Sequence, residues 1–80
     1  MKKKIIKYLE SKGWKVCATI GDPPVALIYS KAGVRIVVPI KETVVDYQAR
    51  LNDMIAKLSD VENRKRYKIL LDIVSVKYRE

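Results

Sequence analysis

Without a histidine in the chain, acid–base chemistry falls to nine carboxylates and one thiol. A general acid or base needs a group that titrates near neutrality, or two carboxylates held in different surroundings. Most of the acids here (Asp46, Asp53, Asp60, Glu62, Asp72) are spaced as solvated charges on helices. Cys17 alternates outward on a strand with only Lys12 and Lys15 near it in sequence, so it reads as a packed or edge thiol. A single cysteine excludes an internal disulfide and a cysteine-cluster zinc site. No Walker loop, dinucleotide fingerprint or nucleophile elbow is present. The expectation is a protein without catalysis and without a cofactor or metal.

The lysines and arginines are the other chemistry-bearing set. Lys and Arg number 17 against 9 Asp and Glu, a formal charge of +8. Residues 1–41 hold nine cations and two acids, hence +7, and residues 42–80 hold eight and seven, hence +1. The field is therefore assigned to the first half: Lys2, Lys3, Lys4, Lys7, Lys12, Lys15, Arg35 and Lys41 are the candidate contacts. Cations at this density neutralise phosphates, which gives affinity with little sequence preference and steep salt dependence. DNA or RNA is the expected partner. The competing reading is a protein-interaction module or small homodimeric regulator, suggested by an apolar sheet face at Ala26, Ile28 and Val37. Richness in Lys, Ile, Val and Tyr is thermophile-like.

These side chains need elements to position them. Eighty residues build one core and so one domain, 1–80. No apolar run approaches a membrane span, and Lys7 and Glu10 interrupt the only signal-like start, so a cytoplasmic protein without membrane contact is expected. Residues 2–12 read as a helix with Ile5, Ile6 and Leu9 on one face, stopped by Gly13. Trp14, Val16, Ala18 and Ile20 alternate with polar residues, the pattern of a strand with one buried face; Trp14 is assigned to the core. Gly21-Asp22-Pro23-Pro24 is a turn. Residues 25–30 and 34–40 form a hairpin about Lys31-Ala32-Gly33, with Pro39 at a strand end or edge. Thr43 is the expected N-cap of a helix running to about residue 58, and Ser59-Asp60-Val61-Glu62 has the pattern of a capping box for another. Residues 67–76 suit a strand by composition, but counting faces decides for helix, with Arg64, Lys68, Asp72, Ser75 and Arg79 on one stripe and Leu70, Leu71 and Val74 opposite. The expected fold is α+β, a three-stranded mostly antiparallel sheet in the order α-β-β-β-α-α, with α-β-β-β-α-β as the alternative.

The stretch LESKGWKVCATIGDPPVALIYSKAGVRIVVPIKET, Leu9 to Thr43, resembles the opening of archaeal Holliday-junction resolvases and related PD-(D/E)xK nucleases. In that family a helix ends at a Gly-aromatic pair, as at Gly13-Trp14, and a turn leads to a strand opening Pro-Asp-Leu-Ile. A hairpin then leads to a strand ending Glu-x-Lys. The resemblance covers residues 5–43. It sets Ala26 of Val25-Ala26-Leu27-Ile28 at the metal-binding aspartate, and Pro39-Ile40-Lys41 at the Glu-x-Lys triplet. Only Lys41 matches. The resemblance thus implies a nuclease-like fold without the carboxylates that hold its metal. A shifted set of Asp22, Lys41 and Glu42 is disfavoured because Lys41 and Glu42 would point to opposite faces of a continuing strand. Double-stranded-RNA-binding domains share the αβββα order but carry a lysine cluster at the start of their second helix, where only Lys41 is basic here.

Overall fold

The computed structural model describes residues 2–42 and 45–76. It is α+β, in the order α1 (Lys2–Ser11), β1 (Lys15–Ile20), β2 (Ala26–Lys31), β3 (Val34–Pro39), α2 (Tyr47–Glu62) and α3 (Arg66–Val74). The sheet has the order β1-β2-β3 and both ladders are antiparallel. Of the segment 67–76, residues 67–74 are helix, with Ile69 and Ile73 fully buried at the four-residue spacing of one helix face.

Local chemistry explains the boundaries. Gly13 adopts φ +90°, and Trp14 N–H donates back to the Leu9 carbonyl, closing the α1 C-terminus. The β2–β3 hairpin turns through Ala32 and Gly33, both with positive φ, the type I′ geometry that matches strand twist. Asn63 caps α2 in the left-handed conformation, its N–H donating to the Ser59 carbonyl.

All helices lie on one side of the sheet. Alternate residues of β2 and β3 (Leu27, Tyr29, Ile36, Val38) meet Ile5, Leu9, Trp14, Leu58, Ile69 and Ile73 in one core. α2 packs on β3 and on α3, and α3 packs on α1. Trp14 is 2% exposed.

Three local expectations change. β1 does not bury one face: all six residues are exposed. The register slips between Val16 and Ala18, a bulge that places Val16 opposite Tyr29 on the helix side and Ala18 opposite Ile28 on the other. Second, Ser59 does not start a helix. α2 continues through it to Glu62, and the Ser59 hydroxyl donates to the Arg64 carbonyl beyond the helix end. Third, Leu70, Leu71 and Val74 do not face the core; they are 40%, 56% and 38% exposed, and Ile69 and Ile73 take the buried stripe. The expected N-cap Thr43 lies outside the described residues; α2 starts after Asp46, which makes no side-chain cap bond.

Candidate functional site

The structure divides the sequence-derived cations between two sides of the molecule. Lys2, Lys3, Lys4, Lys7 and Lys12 lie on or just beyond α1, in the helical layer. Lys15 and Arg35 lie on the opposite, open face of the sheet, because both pair with Ser30, whose neighbour Tyr29 faces the core. Lys41 follows β3 and lines a groove of about 340 Å³ with Ile20, Ala26, Pro39, Tyr47 and Arg50. A single continuous cationic surface across all eight residues is therefore replaced by two faces with the core between them.

The helical face has the denser charge. Lys4 and Tyr8 on α1 and Lys12 just past its end recur every four residues, and this stripe faces α3 and the α2–α3 turn. Lys4 Nζ donates to the Val74 carbonyl at 2.9 Å. The Tyr8 hydroxyl lies 2.9 Å from both carboxylate oxygens of Glu62. Lys12 Nζ stands 5.6 Å from the Tyr8 ring centroid, within cation–π range. α1 thus runs antiparallel to α3, with Lys4 near the end of α3 and Tyr8 near its start.

Arg64 organises this seam. Its guanidinium reaches Asp72 at 2.6 Å and Glu62 at 3.3 Å. The hydrogen bond that Arg64 donates to Asp72 strengthens the proton's hold on the guanidinium. Burial, helped by the bond to Glu62, lifts the Tyr8 phenol above its ordinary value of 10.0, so it is a neutral donor at physiological pH. One arginine therefore holds both acids of the seam. The ammonium groups of Lys7, Lys65 and Lys68 form no ion pair among the described residues.

Sequence reasoning passed over the run Arg64-Lys65-Arg66-Tyr67-Lys68. Summed over residues 42–80, its charge disappears against seven acids. The available signal was local: four of these five residues are basic. In the fold, Asn63, Arg64, Lys65, Tyr67 and Lys68 line a shallow recess of about 390 Å³, and Arg64 reaches α1 at the Tyr8 hydroxyl. Tyr67 is 56% exposed there.

The positions set by the nuclease resemblance are cross-strand partners. Ala26 lies directly opposite Pro39 in the β2–β3 ladder, and neither side chain can bind a metal. Lys41 and Glu42 lie past the end of β3. Among the described residues no three His, Cys, Asp or Glu side chains gather as a metal site, and no helix is long and apolar enough to cross a membrane. No protein-family model, curated protein or solved structure matches the chain.

Proposed function

We propose that the chain binds the phosphate backbone of nucleic acid across α1 and the start of α3. The observation that carries this reading is the Arg64 bridge. By pairing with Glu62 and Asp72 together, it leaves the neighbouring lysines of two helices to set the local field. Lysine is a flexible point charge, suited to phosphates and poorly suited to reading base edges. The binding is therefore strong at low salt, weak at high salt and nearly indifferent to sequence. Tyr67 in the basic recess offers a stacking surface for an unpaired base.

Fluorescence anisotropy with labelled duplex, single-stranded and four-way-junction DNA, and with duplex RNA, over a salt series tests the proposal. Binding that falls steeply with salt supports it. No binding at low salt to any probe removes it. A preference for single strands that Tyr67→Ala abolishes assigns the stacking role to Tyr67.

A second reading, a protein-interaction module, rests on one observation. Leu70, Leu71 and Val74 remain exposed on α3 although α1 and α2 flank that helix. Self-association that Leu71→Glu abolishes would favour it.

A further inference from the structure

The sheet face turned away from the helices is a second surface, separate from the basic seam. It consists of three cross-strand rows: Lys15, Ser30 and Arg35; then Ala18, Ile28 and Val37; then Ile20, Ala26 and Pro39. Ala18 is exposed, and Val37 and Ile20 are 41% and 40% exposed, whereas Ala26 and Pro39 are buried in the groove they line with Tyr47 and Arg50 of α2, so the open part of the face is the first two rows and Ile20. The bulge at Cys17 creates this apolar centre. It moves Ala18 and Ile20 to the open side while Trp14 keeps its place in the core.

We propose that this face binds a second copy of the chain about a two-fold axis lying across the strands. The distribution of charge selects both occupant and orientation. Lys15 and Arg35 make one end of the face cationic, and neither forms an ion pair among the described residues. Beyond the other end, in the β1–β2 turn, Asp22 is exposed and likewise has no ion-pair partner among them. A two-fold axis along the strands would stack the two cationic rows on each other, which is repulsive. An axis across the strands reverses the second sheet. Each Lys15 then approaches Asp22 of the other copy, twice by symmetry, and the rows of Ala18, Ile28 and Val37 stack on themselves. The Arg35 corner meets a region of mixed charge, where Asp46 already pairs with Arg50 at 3.1 Å and Lys41 adds a cation, so the Lys15–Asp22 corner supplies the attraction.

The geometry also sets the strength. Six residues of strand span about 20 Å, and three strands about 14 Å, so the footprint is at most roughly 300 Å² per copy. A standard stable interface buries about 800 Å² per partner. The dimer is therefore reversible, and forms as concentration rises from micromolar to millimolar. The repulsion between two cationic chains is screened beyond about 8 Å at physiological salt, which leaves the short-range Lys15–Asp22 pairs to act.

Sedimentation velocity over that concentration range tests the proposal. The wild-type mass is expected to rise from monomer towards dimer. Lys15→Glu and Asp22→Lys each weaken the dimer about tenfold, the order of one close charge pair lost and one repulsion gained. The double variant Lys15→Glu/Asp22→Lys restores it. Ile28→Glu gives a monomer whose circular dichroism matches the wild type. A chain that stays monomeric throughout overturns the inference. So does a dimer indifferent to both charge reversals, or one abolished by Leu71→Glu and untouched by Ile28→Glu.

Discussion

The Tyr8 hydroxyl lies 2.9 Å from each carboxylate oxygen of Glu62, tying the middle of the first helix to the end of the second across 54 residues of sequence. The same carboxylate accepts from Arg64, which also holds Asp72. A residue that is aromatic core by burial is thus also the polar clasp of the basic surface.

Tyr8→Phe keeps the ring in the core and removes the donor to a half-buried acid. A lost bond to a charged group costs about 1.5–3 kcal/mol, and Glu62 keeps Arg64, so about 1–2 kcal/mol is expected. In a domain this small that lowers the melting temperature by roughly 4–8 °C per kcal/mol. A thermal melt followed by circular dichroism checks it; an unchanged midpoint would show that the clasp contributes nothing.

Alkaline pH acts on the same group. The Tyr8 phenol titrates above 10.0 in the fold because of burial and then Glu62. Its stabilising contribution is full below about pH 10, the unfolded value, and is lost as pH rises through that value towards the folded one. Tyr29 and Tyr47 are shifted in the same direction, also chiefly by burial. Stability should fall as pH climbs past about 10. In Tyr8→Phe the fall should be shallower without vanishing, as urea titrations on either side of that pH would read out.

The face of α3 is tested by a contrast. Ile69 is fully buried and Leu71 is 56% exposed. Ile69→Ala should cost about 2–5 kcal/mol, and Leu71→Ala less than about 0.5 kcal/mol. The reverse ranking in chemical denaturation would mean that α3 is rotated from the orientation described here.

Arg64→Gln releases Glu62 and Asp72 into the basic face. It should lower the melting temperature and weaken duplex binding by more than the loss of one cation. Glu62→Gln with Asp72→Asn in that background should recover much of the affinity. Binding that drops no further than in Lys65→Gln would show that the bridge does not govern the local field.

The order of elements was legible because its markers are local. Gly13, the Ala32-Gly33 turn and the alternation of Val34, Ile36 and Val38 each constrain a few neighbouring residues. The core role of Trp14 was legible for the same reason. The buried stripe of α3 was not. Residues 69–71 and 73–74 are all apolar, so periodicity leaves two faces open, and packing on α1 and α2 chooses Ile69 and Ile73. The bulge at Cys17 has no sequence marker, since no glycine or proline stands there. The candidate site was half legible. The α1 lysines were found by counting charge, but Arg64 comes to α1, at Tyr8, only through folding. Lys15 and Arg35 lie apart from the α1 lysines because strand register sends them to the other side.

The salt dependence of duplex binding, compared between paired variants, tests the central claim most directly. Lys7→Gln/Lys68→Gln alters the helical face, and Lys15→Gln/Arg35→Gln alters the sheet face by the same charge. The slope of log K against log salt should become shallower by about one for each phosphate-contacting lysine removed from the helical face, and stay unchanged for the sheet-face pair. Equal changes in both pairs, or a loss confined to Lys15 and Arg35, would contradict the assignment of phosphate binding to α1 and α3.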